Sequence, residues 1–329
     1  MARVLVTGGA GYIGSHAVRA LIDDGHHVVV LDDFSAGHRE AIPAAVPVVA
    51  LRIHDRGAVA AVLREHRIDS VIHFAARLIV ADSVRDPLGY YQNNVVGTLG
   101  LLGAMVDAGV LRLVFSSTCA VYGEPSTVPI VETLATRPIN AYGETKLAIE
   151  RALEHFARAY DLRWIALRYF NAAGAHPDGT IGEDHAPEIH VIPRAIQAAS
   201  GGDALHVFGQ DYPTPDGTCL RDYIHVCDLA DAHVLALRAL VAGGASGAYN
   251  AGTGQPHSVK QVIDVVSRVI GSPVTWVAAP RRAGDPAVLY ASSDRLQRDL
   301  GWKPRYADLD TIVQHAWQWH RTHPHGYST

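Results

Sequence analysis

The chain has 329 residues, 48% hydrophobic and 19% charged, with a formal net charge of -5 and a pI near 6.4. That balance suits one large or two smaller globular domains and offers no broad basic surface for nucleic acid or acidic lipid. Three cysteines (Cys119, Cys219, Cys227) are too few for a disulfide framework, and nineteen scattered histidines show no metal-ligand spacing, so no metal is expected.

Met1-Ala2-Arg3 runs directly into an apolar strand, and no apolar run approaches the roughly 18 residues of a membrane span, so a cytoplasmic protein is expected. Short apolar runs at Val4–Val6, Val28–Leu31, Val46–Leu51, Val71–Phe74, Leu113–Phe115 and Trp164–Leu167 read as strands buried on both faces. Helices are expected between them at 12–24, 57–66, 87–108 and 142–160. This alternation predicts a doubly wound, Rossmann-like α/β fold with a parallel sheet. Beyond about residue 172, Gly, Pro and Asp cluster and the elements shorten, with helices expected at 189–200, 228–241, 258–270 and 308–321. The reading is a dinucleotide-binding domain over 1–172 and a smaller α/β substrate-binding region over 173–329. No low-complexity linker separates them, so the boundary is soft and the chain is free to cross back.

The first strand is followed by Thr7-Gly8-Gly9-Ala10-Gly11-Tyr12-Ile13-Gly14. Gly8, Gly11 and Gly14 between a strand and a helix permit a tight turn, close approach of backbone N–H groups to a pyrophosphate, and close helix packing. Asp32 lies 18 residues beyond Gly14, at the end of the second strand. A carboxylate there binds both ribose hydroxyls of an adenosine and repels a 2′-phosphate, which favours NAD over NADP. Asp33 either shares that role or is solvated.

Tyr142 and Lys146, four apart, lie on one face of a helix. A phenol titrates near ~10 and is a poor base at neutral pH, but an ammonium and an oxidised nicotinamide would both favour the phenolate. Lowering it by about three units corresponds to ~4 kcal/mol of differential stabilisation. Ser116-Ser117-Thr118 ends the fifth strand, where such folds bind ligand, and Thr118 suits a proton relay between a sugar hydroxyl and Tyr142.

Together these residues resemble the extended short-chain dehydrogenase/reductase superfamily. The finer motifs resemble its UDP-glucose 4-epimerase family over nearly the whole chain: Thr7–His16, Val71–Ala75, Asn93-Asn94, Ser116–Gly123, Tyr142–Lys146, Arg168–Gly174, Gly182–Asp184, Phe208-Gly209, Asp211–Thr214, Asp216–Thr218, Arg221–His225 and Arg281–Pro286. The resemblance implies Tyr142 as base, Lys146 on the nicotinamide ribose and Thr118 as relay. Tyr12 and Ile13 fall in the glycine loop. Phe74, Ala75, Asn94 and Ser116 would line the cofactor, with Tyr169 beside the nicotinamide. Asn171, Arg221, Arg282 and Asp285 would hold the UDP moiety, and the two arginines suit a diphosphate through their planar, permanently charged donor forks. Val191 and Phe208 suit packing against uracil and suit a core equally well; His190 stands near uracil where Asn is common.

The implied reaction inverts C4 of a UDP-sugar through a transient ketone that turns over while UDP stays held. The implied assembly is a homodimer through 87–108 and 142–160. A family position that forms a wall of the sugar pocket corresponds to Leu289, where a tyrosine would exclude a 2-acetamido group; a register one residue later would put Tyr290 there and reverse the expectation. Three positions depart from the pattern. Arg52 replaces an adenine-side acid, with Asp55 nearby; Leu78, beside Arg77, replaces a lysine; and His190 replaces the asparagine. A sugar-nucleotide 4,6-dehydratase would need an acid pair after Thr118, where Cys119-Ala120 stand instead. An epimerase for another UDP-sugar and a non-catalytic NAD-binding redox sensor are the remaining alternatives.

Overall fold

The protein is described here from a computed structural model covering residues 1–282 and 285–327. The first half contains β1 (Arg3–Thr7), α1 (Tyr12–Asp23), β2 (His27–Asp32), β3 (Val48–Ala50), α2 (Arg56–Glu65), β4 (Ser70–His73), α3 (Val80–Arg85), α4 (Pro87–Tyr90), α5 (Gly97–Ala108), β5 (Arg112–Ser116), α6 (Ala141–Tyr160) and β6 (Arg163–Tyr169). There follow β7 (Asn171–Ala173), α7 (Val191–Ala199), β8 (Leu205–Phe208), β9 (Leu220–His225), α8 (Val226–Val241), β10 (Gly247–Ala251), β11 (Pro256–Ser258) and α9 (Val259–Ile270). The last elements are β12 (Trp276–Ala279), β13 (Val288–Leu289), α10 (Asp294–Leu300) and α11 (Leu309–Thr322).

Seven parallel strands form the main sheet in the order β10-β6-β5-β4-β1-β2-β3. Side chains alternate along each strand, so Val4 and Val6 face one layer and Leu5 the other. The first layer packs α1 and α8 through Val18, Leu21, Leu229, Leu237 and Leu240; the second packs α2, α5 and α6 through Val59, Leu63, Leu101, Met105 and Leu153. The strand order reverses between β1 and β4, and the crevice at their carboxyl ends is where doubly wound sheets bind ligand.

The structure departs from one reading and adds to others. Helix 87–108 is not regular: a π-helical stretch, Tyr91–Val96, separates α4 from α5. Such wide turns concentrate at functional sites, and this one holds Asn94. The short helices α3 and α10 carried too little periodicity to be anticipated. The chain does cross back over the soft boundary at residue 172: α8 packs on α1, and β10 is the edge strand of the main sheet beside β6. The remaining elements form a smaller region, with β9 central among β7, β11 and β13, and α7, α9 and α11 enclosing a core with Ile196, Val207, Val266 and Ile312.

Candidate active site

The glycine loop divides its tasks among three residues. Gly8 has φ +70°, and a Cβ there would lie 2.5 Å from the Ala75 nitrogen, so β1 and β4 meet at this turn. A Cβ on Gly14 would lie 2.1 Å from the Gly8 carbonyl oxygen, which shows how closely α1 abuts the loop. A Cβ on Gly11 would meet only that oxygen, at 3.4 Å. The protein therefore leaves room beside Gly11, at the start of α1, where amides and helix dipole favour an anion.

Asp32 is buried and does structural work. Its Oδ2 accepts from the Ala10 amide and its Oδ1 from the Phe34 amide, both at 2.9 Å. Burial raises its carboxyl above the ordinary value, opposed by those amides. Each oxygen keeps a further lone pair for a ribose hydroxyl. Asp33 is not simply solvated: it pairs with Arg52 at 3.3 Å and accepts from Ser35. Burial pushes its carboxyl up, but Ser35 and Arg52 outweigh burial and hold it low. Asp55 caps α2 through the Ala58 amide. An open anion cradle at Gly11 and a carboxylate at the end of β2 fit NAD.

Phe74 and Ala75 follow β4, their amides bonded to the Thr7 carbonyl at 2.8 and 3.1 Å. The Tyr12 hydroxyl donates to the Gly174 carbonyl at 2.6 Å, and Ile13 packs into the α1 layer. Asn94 differs from expectation. Its Oδ1 accepts from the Arg77 amide and from Asn93, and its Nδ2 donates to the Arg77 carbonyl and to Thr145. With every donor and acceptor position used within the protein, Asn94 fixes the loop after β4 and the helix turn bearing Lys146.

Tyr142 lies in the first turn of α6, capped by Asn140, and Thr118 follows β5. The phenol hydrogen-bonds with Thr118, which lowers its pKa, but burial dominates and pushes it up to about 12. Lys146 Nζ sits 6.0 Å from the Tyr142 ring centroid and donates to the Ser116 carbonyl at 2.7 Å. Burial lowers the ammonium to about 7, opposed by Glu150. The chain's own groups therefore disfavour the phenolate, and the expected activation has to come from a cationic cofactor. The Tyr169 hydroxyl lies 2.5 Å from Ser116 Oγ, and its ring meets His233 edge-on.

Glu150 and Arg168 were missed. Glu150 is one turn beyond Lys146, buried, bonded to Ser117 at 2.5 Å and paired with Arg168 at 2.5 Å. The spacing of Tyr142, Lys146 and Glu150, each four apart, was the available signal.

The substrate-side candidates gather around β9. Asn171 donates to the Asp222 carbonyl at 3.0 Å, Arg221 pairs with Asp285, and Leu289 stands opposite Arg221 in register. Leu289 and Phe170 both pack against the cluster that contains Cys119 and Leu147, neighbours in sequence of Thr118 and Lys146, which joins the two halves of the site. Arg282 lies 3.9 Å over the Phe208 ring. Val191 is half-buried against the α7, α9 and α11 core. His190 caps α7, but its Nδ1 faces Glu183 at 2.6 Å and Glu188 at 3.1 Å, so that ring nitrogen is engaged by carboxylates rather than by a base.

Residues 4–252 match the NAD dependent epimerase/dehydratase family. The chain belongs to this family. It is 52% identical over 327 residues to a UDP-glucose 4-epimerase of Halalkalibacterium halodurans, covering 99% of this chain and 98% of that one. Among solved structures, UDP-glucose 4-epimerase from Brucella ovis in complex with NAD superposes with TM-score 0.94 at 47% identity, over 96% of this chain and 98% of that one. The UDP-Glc/GlcNAc 4-epimerase of Campylobacter jejuni matches with TM-score 0.85 at 39% identity, over 98% of this chain and all of that one. Family membership leaves epimerisation and dehydration to be distinguished by the site. Among the described residues, no helix is long and apolar enough to cross a membrane.

Proposed function

We propose that the chain is an NAD-dependent UDP-sugar 4-epimerase that interconverts UDP-glucose and UDP-galactose in the cytoplasm. The carrying observation is the half-buried Tyr142 phenol, bonded to Thr118 within reach of Lys146, with no acid pair following Thr118. When bound, NAD supplies a hydride acceptor that becomes the donor on return. Tyr142 takes the C4 hydroxyl proton through its oxygen, directly or relayed by Thr118, and later gives it back. Lys146 binds the cofactor's ribose and holds the phenol's surroundings positive when protonated. Arg221 and Arg282 hold the diphosphate, so the 4-keto sugar turns about a fixed anchor.

A dehydratase is disfavoured on the same ground. Cys119 is buried and its thiol is held well above its ordinary value by burial, with Asp222 next, so it is no substitute for a general acid and base pair. The direct test incubates the purified protein with UDP-galactose and no added cofactor and separates the sugar nucleotides. UDP-glucose is expected; a 4-keto-6-deoxy product or a stoichiometric build-up of NADH would refute the reading.

Leu289 favours a broader substrate range. A leucine at this position, packed against the cluster that contains Cys119, lacks the ring with which a tyrosine would fill the acetamido space, and this supports the reading. Turnover of UDP-N-acetylglucosamine is expected, and Leu289→Tyr should reduce it at least ~10-fold relative to UDP-glucose turnover. Unchanged selectivity would remove Leu289 as the gate. A homodimer is supported by Leu88, Tyr91, Val96 and Leu99, exposed along 87–108. Sedimentation should return twice the 35.3 kDa chain mass, and a monomer at micromolar concentration would contradict the assembly.

A further inference from the structure

Glu183, His185, Glu188 and His190 occupy the loop leading into α7, spaced Glu-x-His-x-x-Glu-x-His. One ligating atom from each lies within 4.8 Å of the others, the one such group of His, Cys, Asp or Glu among the described residues. His190 Nδ1 is 2.6 Å from Glu183 Oε1 and 3.1 Å from Glu188 Oε1; His185 Nδ1 is 3.2 Å from Glu183 Oε1 and 3.8 Å from Glu188 Oε2. Four N or O donors placed ~2.0–2.1 Å from a tetrahedral ion stand about 3.3 Å apart, the centre of this range.

A second observation points to a ligand. The Glu183 side chain is only 4% exposed, yet its Oε1 makes no aligned hydrogen bond, and neither does His185 Nδ1. Protons on the two imidazoles would also balance the two carboxylates, but a shared proton lies on the line between two heavy atoms. Of the contacts in this cluster only His190 Nδ1 to Glu188 Oε1, at 3.1 Å, is an aligned hydrogen bond, and Glu183 Oε1 and His185 Nδ1 are left without one while the atoms crowd around one point. Groups of this kind in a native interior call for an explanation such as an ion.

We propose that these four side chains hold one divalent transition-metal ion, with zinc the best match, as a closed structural site. Two imidazoles and two carboxylates suit zinc and not calcium or magnesium, which prefer all-oxygen shells. Two carboxylates neutralise the ion's charge, and four protein donors leave no position for a reacting water. The supporting contacts are of the expected type: Glu188 Oε1 accepts from the amides of Ile189 and His190 at 2.8 Å, and Trp319 donates to the Glu183 carbonyl at 3.2 Å. The His185 ring meets Tyr12 of the glycine loop edge-on at 6.2 Å. An ion here ties the segment entering α7 to the dinucleotide loop, and this holds whatever sugar the enzyme turns over.

The test strips the full-length protein with a chelator, reloads it with zinc sulfate, removes free ion and measures metal by atomic emission. About one zinc per chain is expected, with Glu183→Gln and His185→Asn retaining at least ~10-fold less. Wild-type zinc no higher than in either folded variant overturns the site. Should the variants fail to fold, cobalt(II) loaded into the wild type decides: strong visible ligand-field absorption of a four-coordinate ion is expected, and the weak spectrum of six-coordinate cobalt overturns it.

Discussion

At Tyr142 and Lys146, burial works against the charge that catalysis needs. Tyr142→Phe keeps the ring and removes only the acidic oxygen, so turnover should fall ~100- to 10,000-fold while co-purified NAD is retained. Near-normal turnover in this variant would end the assignment. Lys146 gives a second, pH-dependent expectation. Its folded pKa, about 7, lies below the ordinary value of 10.5, because burial disfavours the ammonium. The unfolded chain therefore binds more protons between those values, and stability rises with pH across that window. The cost of holding a buried ammonium is full below about pH 7 and fades as pH approaches 10.5. Lys146→Met, stripped of nucleotide, should melt above the stripped wild type at pH 6, and the gap should narrow by pH 9. A gap that widens with pH would contradict the buried-ammonium account. That Tyr142 and Lys146 stand together on α6 was readable from four-residue spacing, because an α-helix turns spacing into a shared face. What the sequence did not show is the surroundings: only folded neighbours reveal that the Asn94 amide and His190 Nδ1 already have partners within the protein.

At the scale of elements, the glycine loop separates packing from binding. Gly14→Ala drives a methyl into the Gly8 carbonyl and should destabilise by about 1–3 kcal/mol or more, since α1 has to leave its place on β1. Gly11→Ala meets only a 3.4 Å contact, so the stripped protein should melt close to the wild type while NAD retention falls. Thermal unfolding with and without nucleotide separates the two, and equal destabilisation in both variants would refute the division. Strands β1 to β6 and the long helices were legible because continuous apolar runs and a 3.6-residue period survive without tertiary context. The π-helical stretch Tyr91–Val96 was not, since its composition is that of an ordinary helix and the extra residue per turn is set by packing around Asn94. β10 was missed because Gly247–Ala251 carries a weak strand pattern and gains its place from β6.

For the whole molecule, the return of the chain to its first sheet decides what can exist alone. Leu229, Val234, Leu237 and Leu240 of α8 are buried in the layer containing Val4, Val6 and Leu21. Burying four such side chains is worth ~6–12 kcal/mol, comparable to the whole stability of a typical domain. A fragment of residues 1–172 should therefore show no cooperative thermal transition, and a sharp melt with NAD binding would disprove the interdependence. The same path imposes an order in time. Strand β6 ends at Tyr169 and its partner β10 at Ala251, about 80 residues later. At a synthesis rate of ~5–20 residues per second, a nascent chain carries an open β6 edge for roughly 4–16 s. Such an edge is a template for pairing with another chain, so crowding on a polysome threatens this protein most after its nucleotide loop has emerged and before its sheet can close.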